Sequence, residues 1–156
     1  MKCSKCNFFV ILLCITLLMQ ISINANAQEL RASDTVSRAY SKTFSYEKNA
    51  LSADQGVNVS DIPEIYKKVK FNVKLSSTMQ YDRSTGKYLS ADTPTATLEY
   101  VGAVPLQMSS INTSKKDNGT SIIFAYSADM SATVDTGFYI VQISYGRISG
   151  SFTVNK

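Results

Sequence analysis

Carboxylates, tyrosines and basic side chains carry most of the usable chemistry here: 12 Asp and Glu, 9 Tyr and 16 Lys and Arg, with no His and no Trp. Cys3, Cys6 and Cys14 are the only thiols, and all precede residue 15. Past that point a Ser-His-Asp triad, a Cys-His pair or an ordinary structural zinc site has no carrier. Neither a glycine-rich phosphate loop, a G-x-S-x-G elbow nor a calcium-loop pattern occurs. Carboxylate-only hydrolysis needs two acids roughly 5–10 Å apart in a cleft. Each Asp or Glu instead stands beside turn residues or on the expected wet side of a strand, so a carboxylate-dependent hydrolase is the weakest alternative. Asp129 and Asp135, in segments read as loops, lack the D-x-D or D-x-N run of a calcium site and read as turn formers. No cofactor and no metal is expected.

Tyrosine offers a large contact area with a polar tip. Most of the nine read as half-buried strand residues. Tyr81 and Tyr88 flank the polar stretch Asp82–Lys87, and with Arg83 they form the expected ligand patch. Sequons at Asn58, Asn112 and Asn118 are close to chance in so Ser- and Thr-rich a chain.

Lys2 and Lys5 precede the apolar run Phe8–Met19, and Ala25-Asn26-Ala27 supplies small residues at the right spacing. This predicts a signal peptide over residues 1–27, with Gln28 the first mature residue. Twelve residues, interrupted by Thr16, are short of the roughly 20 that span a bilayer, and no transmembrane segment is expected in the mature chain. Loss of Lys2 and Lys5 takes the formal net charge from +4 to +2, which steers toward neither nucleic acid nor an anionic membrane. The mature part has no cysteine. Exported domains from disulfide-forming compartments often use that bond, so its absence leans toward a Gram-positive bacterial source.

Residues 28–36 are polar and aperiodic and predict a flexible N-terminal arm, followed by one domain over residues 37–156. Tyr40, Phe44 and Tyr46 recur with period two, with Lys42 as the exception, and predict a first strand at a sheet edge. Ser60-Asp61-Ile62-Pro63-Glu64 predicts one helical turn near residues 61–68. Beyond it, Phe71, Val73 and Leu75 alternate with Lys70, Asn72 and Lys74, the pleat of a half-wet strand. Residues 82–87 and 115–119 read as hairpin turns, the second through Asn118-Gly119. Residues 96–101 read as another strand, bounded by Pro94 and Pro105. Seven or eight short strands predict an all-β antiparallel sandwich.

Asp135-Thr136-Gly137-Phe138-Tyr139 opens an alternating run to Ser144, then Tyr145-Gly146-Arg147 leads into Ile148–Val154. This resembles the last two strands of immunoglobulin-like domains, in which Asp-x-Gly-x-Tyr opens strand F and a short turn leads to strand G. The resemblance implies that Tyr139 is a tyrosine corner, ring in the core and hydroxyl on backbone, with Asp135 and Gly137 forming the turn before it. Pleat parity independently puts Tyr139, Val141 and Ile143 on one face. Val141 stands where antibody-type domains have a cysteine, so the resemblance is to the disulfide-free modules of bacterial surface and secreted proteins. It implies a secreted or cell-surface-associated, non-catalytic module that binds a protein or carbohydrate ligand. The alternative is a toxin-like or antimicrobial β protein whose hairpin, residues 71–91, acts at membranes.

Overall fold

Alternation of apolar and polar side chains turns nearly every segment beyond residue 68 into a strand with one buried row. The computed structural model describes residues 34–135, 137 and 140–156. The expected signal peptide and Tyr139 lie outside the described residues. In chain order the elements are β1 (Thr35–Asn49), β2 (Ser52–Ala53), a 3-10 turn (Val59–Asp61), a helical turn α1 (Glu64–Lys67), β3 (Lys68–Asp82), β4 (Tyr88–Ala91), β5 (Thr95–Glu99), β6 (Leu106–Asp117), β7 (Ser121–Asp135) and β8 (Ile140–Asn155). They form two antiparallel sheets. In one, β3 pairs with β1 along one side and with β4 and β5 along the other; the second runs β2-β8-β7-β6. The all-β sandwich expected from the strand pattern is present. β1 begins at Thr35, so Thr35 and Val36, expected in the arm, instead pair with Asp82 and Tyr81.

The core lies between the sheets. β3 contributes Val69, Phe71, Val73, Leu75, Met79 and Tyr81, and β7 contributes Ile122, Phe124, Tyr126, Ala128, Met130, Ala132 and Val134. Ser77 is the one polar member of the β3 row, and its hydroxyl donates to the Asp92 carbonyl at 2.9 Å. Pro63 begins α1, and the turn ends where Lys68 adopts extended backbone. There the Tyr145 hydroxyl, from the fully buried side chain of β8, donates to the Tyr66 carbonyl at 2.9 Å and ties the helical turn to the opposite sheet.

Tyr145-Gly146-Arg147, expected as a turn between two strands, lies inside one strand. Gly146 sits at φ +75° and the register slips between Met130 and Ser131, which leaves Tyr145 as an extra residue. A bulge of this kind reverses pleat parity without reversing the chain. Val141, Ile143 and Tyr145 therefore face inward before it, and Ile148 faces inward after it. The separate strands F and G of the immunoglobulin-like expectation are not formed over residues 140–155.

Each sheet edge carries a device that discourages further strand pairing. On β1, Lys42 occupies the inward row between Tyr40 and Phe44, its Nζ 5.3 Å from the Phe44 ring centroid. β6 is broken by a register shift between Ser109 and Asn112, with Ser110 at φ +49°. β4 and β5 are short and separated by Asp92-Thr93-Pro94. On β8, β1 side chains cover the outward carbonyls: Tyr46 donates to Ser149 at 2.7 Å and Lys48 to Arg147 at 3.4 Å. With its hydrogen spent on Ser149, the Tyr46 oxygen accepts from the Tyr126 hydroxyl at 2.6 Å, which joins the sheets at this seam.

Candidate functional site

Tyr81 is the last inward-facing residue of β3, and β4 begins on Tyr88, its ladder partner. The connection between them is built by Asp82. One carboxylate oxygen accepts from Ser84 Oγ at 2.7 Å, from the Thr85 N–H at 2.7 Å and from Thr85 Oγ1 at 2.9 Å. Gly86, at φ +68°, returns the chain, and the Lys87 carbonyl accepts from the Asp82 N–H at 2.8 Å. The Ser84 hydroxyl, then the Thr85 donors, hold the Asp82 carboxyl down at about 2.

The three expected patch residues meet here but differ in access. Arg83 is exposed, Tyr88 half-buried and Tyr81 buried. Tyr81 thus belongs to the core, because the inward row of β3 runs through every odd residue from 69 to 81 and includes it. Its ring meets Tyr88 edge-on with centroids 6.2 Å apart, and its hydroxyl lies 3.2 Å from that of Tyr40. Burial, then the Tyr40 contact, push the Tyr81 hydroxyl up to about 12.

Four charged groups that the hairpin sequence does not contain complete the cluster. Arg38, from β1, stands 4.9 Å from the Tyr81 ring centroid. Lys156 stands 4.7 Å from that of Tyr88 and pairs with both Asp117 oxygens, at 2.6 and 2.7 Å. Lys156 foremost, and the Gly119 N–H, lower the Asp117 pKa. Lys115 Nζ crosses the same seam to the Ala91 carbonyl. Period-two spacing put Arg38 two residues before Tyr40, a signal that could have placed it. Nothing in the spacing of Lys156 or Asp117 could, because they arrive from the other sheet.

Before residue 140 the Gly137 N–H donates to the Asp135 carboxylate at 2.8 Å, with Gly137 at φ +81°. Val141 and Ile143 are buried as their parity requires. Asp129 and Asp135 lie within β7, not in loops, and Asp129 is paired in register with Arg147. Among the described residues no three metal-ligating side chains gather. No described helix is long and apolar enough to cross a membrane.

At the opposite end, a cavity of about 320 Å³ lies between the Gln55–Val57 loop, Ile62, Val134 and Val141. An open groove of about 620 Å³ runs where β5 leaves β3, beside Lys70, Phe71, Leu98 and Tyr100. The three glutamates at this end are ion-paired. Glu47 pairs with Lys68 and, at 2.9 Å, with Lys70, and these two ammonium groups bring its carboxyl down to about 2. Glu64 pairs with Lys67 at 2.6 Å and Glu99 with Lys74 at 3.9 Å. Comparison with known proteins finds no matching family model, curated protein or solved structure.

Proposed function

We propose that the chain is a secreted or cell-surface-associated, non-catalytic β-sandwich module, similar to disulfide-free immunoglobulin-like modules, that binds a protein or carbohydrate ligand and needs no cofactor. One observation carries this reading. Each described group whose ionisation is displaced is held by a contact that builds the fold. Asp82 closes a hairpin, Asp117 and Glu47 pair across strands, and burial raises Tyr81, Tyr126 and Tyr145. A catalytic centre would hold such a group in a cleft, free to exchange a proton. The membrane-active alternative has less support, because Phe71, Val73 and Leu75, the apolar row its hairpin would offer to lipid, are spent in the core.

The test is adhesion of the purified protein to cell-wall fractions and to a glycan panel. Saturable binding that survives EDTA and reductant, with no hydrolysis of the bound polymer, is expected. Turnover of any glycan, or no saturable binding to any fraction, would overturn the proposal.

A further inference from the structure

The charges of the sandwich are divided between its ends. Strand register brings Asp34 and the start of β1, the 82–87 hairpin, the last residues of β6 and Lys156 to one end. Six cations stand there, Arg38, Arg83, Lys87, Lys115, Lys116 and Lys156, against four carboxylates, Asp34, Asp82, Asp92 and Asp117. The far end, with Glu47, Asp54, Asp61, Glu64, Glu99 and Asp135, has more acids than bases.

The way each acid is satisfied matters more than the count. At the far end Lys67, Lys68, Lys70 and Lys74 are spent on carboxylates and Lys48 on the Arg147 carbonyl. At the hairpin end Asp82 is satisfied by neutral hydroxyl and N–H donors, so it takes up no cation. Arg83, Lys87 and Lys116 are exposed and have no ion pair among the described residues. Three unengaged cations, two on the 82–87 hairpin and one at the end of β6, stand at the positive pole of the molecule and form an electrostatically presented surface.

From this we infer that the hairpin end docks an anionic polysaccharide, through ion pairs from Arg83, Lys87 and Lys116 to carboxylate or phosphate groups along the sugar chain. This rests on the binding role proposed above and names its ligand class. A lipid surface fits less well. Of the six large apolar side chains exposed among the described residues, Leu51, Ile65, Val101 and Ile140 belong to segments at the far end and Ile111 to the middle of β6, which leaves Leu89 as the single one beside the free cations, too little to enter a bilayer. A nucleic acid fits less well too, since Tyr88, the aromatic ring nearest the free cations, is half-buried under Lys156 and offers bases no open stacking face.

The probes are immobilised polygalacturonate and a glycerol-phosphate polymer, for the two anion types, beside neutral dextran, duplex DNA and phosphatidylglycerol vesicles. The protein should bind at least one of the two anionic glycan-type polymers, release with rising salt, and bind dextran, DNA and vesicles more weakly. R83E/K87E should weaken that binding about tenfold. K67E/K74E changes net charge equally and should leave it within about twofold. To separate loss of charge from any disturbance of the hairpin, R83Q/K87Q serves as a second variant, with unfolding curves for all three. Equal losses in both charge-reversed doubles, wild-type binding by R83E/K87E and R83Q/K87Q, or tighter binding of DNA or vesicles would overturn the inference. If the protein ignores both polymers yet adheres to cell-wall fractions, this inference fails and the binding role stands; if it adheres to nothing, both fail.

Discussion

Asp82, half-buried at the hairpin end, and Glu47, exposed at the opposite, connection end beside α1, are acids both held at about 2, by different means. Asp82 is satisfied by a serine hydroxyl and the N–H and hydroxyl of a threonine; Glu47 is satisfied by two lysines. The contrast teaches that an acid bound by neutral donors leaves nearby cations free, whereas an ion-paired acid consumes them. At the hairpin end Asp82 in this way leaves Arg83 and Lys87 unengaged, while Asp117 takes up Lys156 alone.

The largest expected effect concerns what holds the ends rigid. Tyr145→Ala removes a fully buried ring and the clip to Tyr66, and should cost roughly 3–5 kcal/mol in chemical denaturation. Tyr145→Phe isolates the clip and should cost about 1 kcal/mol. If Tyr145→Phe cost as much as Tyr145→Ala, the hydroxyl, not the ring, would be what anchors the connection end.

Next in size is Gly146→Ala. A Cβ there would stand 2.6 Å from Leu51 Cδ1 at a positive φ, so a loss of about 1–2 kcal/mol is expected. A neutral result in thermal melts would mean that the bulge is not fixed by this glycine. Tyr46→Phe, at the seam between β1 and β8, should cost about 1 kcal/mol by leaving the Ser149 carbonyl without its donor.

The smallest effect separates the two acids. Both pKa values are depressed below their ordinary ones, so each stabilises the fold above about pH 4 and loses that contribution as pH falls toward about 2. Salt should discriminate them. Adding 0.5 M NaCl should shrink the acid loss that Glu47→Gln removes, because ammonium pairs are screened, and leave the loss that Asp82→Asn removes nearly unchanged. Equal salt sensitivity in pH-dependent melting of the two variants would erase the distinction between the ends.

Much of the fold was legible because pleat parity is a local property: the rows of β1, β3 and β5 and both hairpins follow from period-two spacing and Asn-Gly or Asp-x-x-x-Gly turns. The bulge at Gly146 was misread as a chain reversal because a glycine between alternating runs signals either. The shift from Val141, Ile143 and Tyr145 to Ile148 and Val154 was the cue that the strand continues with its parity reversed. The site was half legible. Tyr81, Arg83 and Tyr88 do share one hairpin, but parity, had it been carried from Leu75 to Tyr81, would have placed Tyr81 in the core. Arg38, Asp117 and Lys156 join them through tertiary packing, which no local spacing encodes.

The central claim is that binding occurs at the hairpin end, and backbone amide shifts report it most directly. Titration of the isotope-labelled protein with oligogalacturonate should move the amides of Arg83–Lys87, Lys116 and Lys156 while those of Leu51, Ile65 and Val101 stay fixed. Shifts concentrated at the connection end, or spread evenly over both, would contradict the account.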